Sequence, residues 1–350
     1  MVKTIKSYMI QIHSTSTNFP DNLKSFQASL GGVIEEKYGE YLLTVNNALT
    51  NGTVRFLQFD RGISLIEYDL ESKEDLLFVE HSKKYNPVKF SYCLDGEGSH
   101  KFEGYTEYSD IEPFQSVITC NKKDSSEHLL VKKNKRFKMT SIHVVRSKFR
   151  KKRMQTLTQL HPDLFHVFLD KKQKNNFAHF GTIHLGISEH VKSMRNILAE
   201  GMTRVLQMEA KSYIILSLHI QQFAIEKAEK VACTPLTERE LKTVREVAKT
   251  IVSSPAQPYN LNDISRNFGL SQSKLQGGFK FLFDHTVTEF IRSTRLKEAK
   301  ELMKTTDMNI SEIVYSIGFT SRSYFSKIFR EEYAMSPNQY KKRLSYPLVA

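Results

Sequence analysis

The chain has 350 residues, 40% of them hydrophobic and 25% charged, with a formal net charge of +13. That length holds two or three domains with cores of their own, the composition is that of a globular protein, and the charge favours a polyanionic partner, nucleic acid first. No apolar run reaches the ~18 residues of a membrane span, the N-terminus lacks a signal-peptide pattern, and Cys93, Cys120 and Cys233 are too scattered for a disulfide framework or a CxxC metal site, so a cytoplasmic protein away from membranes is expected.

Residues 1–153 read as β-rich. Val54–Phe59 and Ile63–Tyr68 flank Asp60-Arg-Gly62 as the arms of a hairpin. Val88, Phe90, Tyr92 and Leu94 alternate with Lys89, Ser91 and Cys93 to give one apolar face, and Asp95-Gly-Glu-Gly98 supplies the turn of a second hairpin, since glycine tolerates positive φ. Leu129–Val131 and Ile142–Val145 are further strands. Short strands with regular turns predict a β-barrel or jelly-roll-like domain, whose mouth is a natural small-molecule site. No residue there names the molecule. The basic run Arg146, Lys148, Arg150, Lys151, Lys152 and Arg153 reads as a solvated loop between domains, with DNA or membrane contact as the alternative. His161 and His166 beside Asp163 read as ordinary polar residues rather than metal ligands.

Residues 154–236 change to a helical period. Pro162–Phe168 is a short helix, a longer stretch runs from Val191 through Leu198, and a third follows Gly201 with Val205, Leu206, Met208, Tyr213, Ile214, Leu218 and Phe223 on its apolar side. Such stripes serve either as core or as the interface of a homodimer. Cys233-Thr-Pro-Leu236 reads as a linker.

Residues 237–345 predict an all-helical domain. Thr237-x-x-Glu240, Thr286-x-x-Glu289, Asn309-x-x-Glu312 and Ser336-Pro337-x-Gln339 are four helix-start signals in about a hundred residues. The domain also repeats itself. Ile264 and Gly269 in one segment match Ile313 and Gly318 in another, and after a one-residue insertion Leu275 and Phe279-Lys280 match Phe325 and Phe329-Arg330. Short helix, glycine turn and longer helix, written twice, is the sequence form of two helix-turn-helix units. With Leu275, Phe279, Phe325 and Phe329 inward, the outer faces offer base-contact candidates: Gln272, Ser273 and Gln276 in the first copy, and Arg322, Ser323, Tyr324, Ser326 and Lys327 in the second. Lys280, Thr286, Arg330, Ser336, Lys341 and Lys342 are phosphate-contact candidates. Gly277 and Gly278 weaken the first recognition helix, and Gly278 is expected to serve close helix packing.

Residues 237–344 resemble the AraC/XylS family of bacterial transcription regulators through Arg295-Leu296-x-x-Ala299, Ile313-Val-Tyr-Ser-Ile-Gly-Phe319, Ser323-Tyr-Phe-Ser-Lys-Ile-Phe-Arg330 and Ser336-Pro337. The resemblance implies seven helices, with a long one joining the two helix-turn-helix units, and an N-terminal region for ligand sensing and dimerisation. Asp284, Val287 and Ala334 depart from residues common in the family. Lys274–Lys280 with Thr286-Val287, and the stretch Asn196–Tyr213, are similar to the branch that regulates siderophore receptors of the pyochelin and yersiniabactin systems. The fold expected is therefore α+β and multidomain, a jelly-roll-like sensor with a helical dimerisation segment before the DNA-binding domain. The function expected is regulation, more often activation than repression, of promoter DNA with RNA polymerase as partner and a small-molecule effector, a siderophore among the options. A constitutive regulator, or one controlled by a protein partner, is the alternative. No GxSxG, HExxH or P-loop pattern argues for an enzyme, and no cofactor is implied.

Overall fold

The computed structural model describes residues 9–15, 19–82, 86–229, 236–283, 285–333 and 335–345. It divides the chain into two compact units, 1–233 and 234–350.

The first unit is built on two sheets. In chain order its elements are β1 (Met9–Thr15), α1 (Phe19–Leu30), β2 (Val33–Lys37), β3 (Glu40–Asn46), β4 (Thr50–Gln58), β5 (Ile63–Ser72), β6 (Asp75–His81), β7 (Val88–Asp95), β8 (Gly98–Phe102), β9 (Ser109–Ile111), β10 (Gln115–Cys120), β11 (Ser126–Val131), β12 (Arg136–Val144), α2 (Arg146–Leu157), α3 (Pro162–Leu169), β13 (Phe177–Ile183), α4 (Leu185–Arg195) and α5 (Gly201–Glu229). One sheet has the order β1-β6-β11-β8-β9 and the other β13-β10-β7-β12-β5-β4-β3-β2. Phe56, Tyr68, Phe78, Phe137 and Met139 fill the space between the sheets, with Phe26 and Leu30 of α1. On the other face of the larger sheet, Phe90, Tyr92, Ile118 and Ile142 pack against Phe149, Phe168, Val191, Met194, Ile215 and Phe223 of α2–α5. The large sheet is thus covered on both faces.

Several expectations need correction here. The hairpin through residues 60–62 forms, because β4 and β5 pair along their length. The turn at 95–98 makes no hairpin: β7 pairs with β10 and β12, whereas β8 pairs with β9 and β11, so the chain crosses from one sheet to the other. Gly96, at φ 79°, supplies the sharp bend, and a Cβ there would lie 2.2 Å from the Arg136 carbonyl oxygen. The basic run is no loop. It forms α2, and Arg146 is buried, donating to the carbonyls of Asn86, Val167 and Asp170 at 3.2, 3.2 and 3.3 Å.

The border at 153/154 does not separate two cores. Residues 154–229 cover the large sheet and add β13 to its edge beside β10. Gly181 of β13 admits α5 closely, since a Cβ there would meet Glu226 Oε2 at 3.1 Å and Gln222 Nε2 at 3.2 Å. Glu226 accepts from the Thr182 N–H at 2.7 Å and its hydroxyl at 2.6 Å, and sits 2.6 Å from His179 Nε2. Despite burial, these bonds hold its carboxyl down to about 2. Residues 233–235 of the expected linker, with Cys233, lie outside the described residues, as do Asp284 and Ala334.

The second unit contains seven helices among the described residues: α6 (Glu238–Ser253), α7 (Leu261–Phe268), α8 (Gln272–Phe283), α9 (Val287–Thr305), α10 (Ile310–Ser316), α11 (Arg322–Tyr333) and α12 (Pro337–Ser345). The four start signals act as expected. Thr237, Thr286 and Asn309 form reciprocal capping boxes with Glu240, Glu289 and Glu312, and Ser336 does the same with Gln339.

Candidate nucleic-acid interface

Both helix-turn-helix units follow one construction. In the first, Gly269 ends α7 in the left-handed region at φ 64°, and Ser271 then accepts the Lys274 N–H at 3.3 Å to start α8. In the second, Gly318 at φ 83° follows α10, and Ser321 accepts the Tyr324 N–H at 3.2 Å to start α11. Ile264, Leu275 and Phe279 are buried in one copy; Ile313, Phe325 and Phe329 are buried in the other.

Helix α9 joins the two cores. Near its start Phe290 meets Phe279 and Phe283, with ring centroids 5.2 and 4.9 Å away. Further along, Leu296, Ala299 and Met303 enter the cluster formed by Ile313, Ile317, Phe325 and Phe329. Arg295 fastens the connection. Its guanidinium donates to the carbonyls of Pro255 at 2.8 Å, Gln257 at 2.7 Å and Gly318 at 2.8 Å, and lies 5.4 Å from the Phe319 ring centroid. The loop after α6 and the turn of the second unit therefore share one cation. Gly318 permits this approach, because a Cβ there would stand 2.5 Å from the Ala256 carbonyl oxygen. Arg295 stands out in the sequence only as part of a family signature; that its fork spans three separate carbonyls is visible only once the chain has folded.

The outer faces of the two recognition helices differ. On α8, Gln272 and Ser273 are exposed, but the Gln272 amide donates to Asn262 Oδ1 of α7. Lys274 donates to Glu240 Oε1 at 2.5 Å. That bond, with the Thr237 N–H, holds the Glu240 carboxyl down to about 2. Half-buried Gln276 accepts the Val287 N–H at 3.1 Å through Oε1, so its carbonyl serves the start of α9. Gly278 sits under Val244: a Cβ would be 2.6 Å from Val244 Cγ2, which matches the expected packing role. At Gly277 a Cβ would meet nothing within 4 Å. On α11, Arg322, Ser323, Tyr324 and Lys327 are exposed and Ser326 is half-buried. The Tyr324 ring leans on Phe319 at 6.1 Å and stays 48% exposed.

Among the phosphate candidates, Lys280, Arg330 and Lys342 are exposed. The hydroxyls of Thr286 and Ser336 belong to their caps. Lys341 points back to the carbonyls of Asp307 and Met308 in the loop between α9 and α10.

Two cavities of the first unit differ greatly in size. Between the sheets lies one of about 60 Å³, lined by Lys89, Glu80, Glu127, His100, His143 and Ser91 among others. Lys89 pairs with Glu80 at 2.7 Å and with Glu127, and His100 Nε2 is 3.1 Å from Glu127. Burial pushes His100 and His143 down to about 3, so both imidazoles are neutral at pH 7. Outside the barrel, a cleft of about 380 Å³ opens between β2–β4 and the α4–α5 corner. Its floor is Glu40, bound by Arg204 at 2.6 and 3.0 Å and Arg55 at 2.6 Å; its walls include Leu42, Ile197, Val205 and Leu198, the last 95% exposed. No described helix is long and apolar enough to cross a membrane.

Comparison with known proteins agrees with this layout. The regulatory protein PchR N-terminal domain matches residues 51–236, and a helix-turn-helix domain family matches residues 264–343. Regulatory protein SoxS of Salmonella typhimurium is 34% identical over 88 residues, which is 25% of this chain and 82% of that protein. Histidine kinase P4 of Formosa agariphila is 31% identical over 116 residues, 33% of this chain, and the chain spans only 8% of that protein's length. The solved structure of ToxT from Vibrio cholerae is 17% identical with a TM-score of 0.30, the match covering 81% of this chain and 100% of that one.

Proposed function

Because the chain belongs to the AraC/XylS family of DNA-binding transcription regulators, with a PchR-type N-terminal domain, we propose that it is an effector-responsive activator. The observation that carries the reading is the pair of helix-turn-helix units joined by α9 and Arg295, with Arg322, Ser323, Tyr324 and Lys327 outward on α11. Arg322 reads a guanine edge and Ser323, Ser326 and Lys327 read neighbouring positions. On α8, Ser273 reaches a base directly, and Gln272 and Gln276 do so only by exchanging their internal bonds. Lys280, Arg330 and Lys342 take phosphates, while Thr286 and Ser336 present helix N-termini to them.

The effector is a small molecule of siderophore type, and its site is the outer cleft. The volume there falls in the usual range for small ligands, roughly 300–1,000 Å³, whereas the cavity between the sheets has room for about two waters. Met202, Leu206, Ile214 and Ile225, exposed along α5, form the homodimer contact, and the activated protein recruits RNA polymerase.

The test is selection from a random DNA pool with the full chain, with and without siderophore-containing culture extract. Two short conserved blocks about one helical turn apart are expected, with stronger enrichment when extract is present. No enriched sequence in either condition defeats the reading. Equal enrichment in both favours a constitutive or partner-controlled regulator. The chain has no tryptophan, so Leu198→Trp places a single reporter in the cleft. Its emission is expected to shift with effector, and an unchanged spectrum under saturating extract removes the cleft assignment.

A further inference from the structure

Five neighbouring strands of the large sheet end in register. Cys120 of β10 lies opposite Phe177 of β13, Thr119 opposite Lys89 of β7, and Val144 of β12 opposite both Val88 and Ile63. The segments that follow β10 and β12 and precede β13 therefore emerge together at one end of the first unit. Between them they carry Lys122, Lys123, Lys148, Lys171, Lys172 and Lys174, all exposed.

These loops are fastened to one another. The Lys123 N–H donates to the Gln173 carbonyl at 2.8 Å, and the Lys122 N–H to Asn176 Oδ1 at 2.8 Å. Buried Arg146 binds the carbonyls of Val167 and Asp170 just before the 171–174 lysines, and Phe149 stacks on Phe168 at 5.5 Å. A fixed set of lysines results.

Charge balance distinguishes this end. Of the six lysines only Lys123 has an acidic partner among the described residues, Asp124 at 3.8 Å. At the opposite end of the sheet the cations are matched: Arg136 with Asp69 at 2.6 Å, Lys135 with Glu97 at 2.9 Å and Lys138 with Asp95 at 3.9 Å. Cations in excess of the counter-charges Asp124 and Asp170 of these segments repel one another, and a polyanion relieves that repulsion while releasing its own condensed counterions. Lysine suits such a role, since a flexible point charge grips phosphate without reading a base. A lipid surface is the poorer match. Interfacial binding also needs apolar side chains to insert, and among the described residues no exposed large hydrophobic side chain belongs to the lysine-bearing segments 121–125, 145–150 and 171–176.

We propose that this lysine end of the first unit is a second, sequence-independent contact to duplex DNA, holding phosphates beside the sequence read by the helix-turn-helix units. The proposal rests on the second unit's DNA binding, which keeps duplex at high local concentration through the chain. The 171–174 turn would then add affinity only on DNA longer than the recognition sequence.

The test compares the full chain with K122Q/K123Q/K171Q/K172Q/K174Q, and with K171Q/K172Q/K174Q alone as the milder variant. Each is titrated against the selected sequence in a duplex of about 20 bp, which spans the two units, and in one of about 60 bp, across a series of KCl concentrations. On the long duplex the variants are expected to bind roughly tenfold more weakly, with the slope of log K against log salt reduced by ~2–4, at ~0.9 per lost phosphate contact. On the short duplex all three proteins should agree. Equal slopes on the long duplex overturn the proposal. So does lysine-dependent binding to phosphatidylserine vesicles with unchanged DNA binding, which would assign the surface to lipid. A random-sequence duplex of about 60 bp separates the two readings: with no selectable sequence, a wild-type slope steeper than the variants' still supports the lysine contact.

Discussion

The two helix-turn-helix units share a construction and differ in what their recognition helices leave available. Position for position, Gln272, Lys274 and Gln276 of α8 stand where Arg322, Tyr324 and Ser326 stand on α11. All three α8 side chains bond to neighbouring helices, to Asn262, Glu240 and the Val287 N–H. On α11, Arg322, Ser323, Tyr324 and Lys327 face outward. Duplicated architecture has produced one recognition helix whose polar side chains turn partly inward and one whose side chains turn outward. The lesson is that equal motif strength in a sequence does not imply equally available side chains.

The largest expected effect tests whether the units depend on each other at all. Arg295→Ala strands three carbonyls, those of Pro255, Gln257 and Gly318. It is expected to destabilise the second unit by about 2–4 kcal/mol in urea unfolding. An unchanged midpoint would mean that the units are held together by α9 packing alone. Next is the contrast itself. Arg322→Ala should cost ~1–3 kcal/mol at one base position and little elsewhere, whereas Gln276→Ala should lower stability with an unchanged base preference. If Gln276→Ala erases preference at one position instead, the inward reading of α8 is wrong.

A finer test uses adjacent glycines. Gly278→Ala collides with Val244 and is expected to destabilise by ~1–3 kcal/mol. Gly277→Ala meets open space and should stabilise the helix by up to ~1 kcal/mol. Thermal melts of the two variants should move in opposite directions; loss of DNA affinity in Gly277→Ala despite a raised melting temperature would show that duplex approaches the backbone there. The smallest effect is acid loosening at the start of α6 in the second unit. The carboxyl of Glu240 is held below its ordinary range by Lys274 and the Thr237 N–H. Its contribution is therefore complete above about pH 4.5 and lost as pH falls toward about 2. Protection against hydrogen exchange at the start of α6, taken relative to the intrinsic rate at each pH, should fall over that window, and Lys274→Met should remove most of the change.

Much of the second unit was legible because its signals are local. Caps such as Thr286–Glu289 act over three residues, and Gly269 and Gly318 each occupy the turn that their sequence context demands. The first unit was legible in class and less so in connection. Alternation through Val88–Leu94 reveals a two-faced strand, yet both faces are buried, the polar one holding Lys89 against Glu80 and Glu127. Periodicity marks faces without saying what covers them. The 95–98 turn has hairpin residues and joins two sheets, because strand partners are chosen by contacts that are distant in sequence. Strand β13 is not legible as a strand because Gly181 interrupts its pattern, and the reason for that glycine is the approach of α5. Within the interface, the exposed candidates on α11 followed from the buried positions of Phe325 and Phe329. The internal bonds of Gln272, Gln276 and Lys341 depend on helices brought near by folding, which no spacing rule encodes.

The Arg295 staple has a kinetic side. Once one helix-turn-helix unit has docked, the other is already presented at a fixed distance and orientation, so its arrival is intramolecular. A flexible joint would dilute that second encounter over many unproductive arrangements; a stiff one concentrates it on a single spacing. The same stiffness penalises operators whose two half-sites are a base pair too near or too far, because either the duplex or the staple must then deform. Spacing between half-sites thereby becomes part of what the protein recognises, without any base contact between them being required.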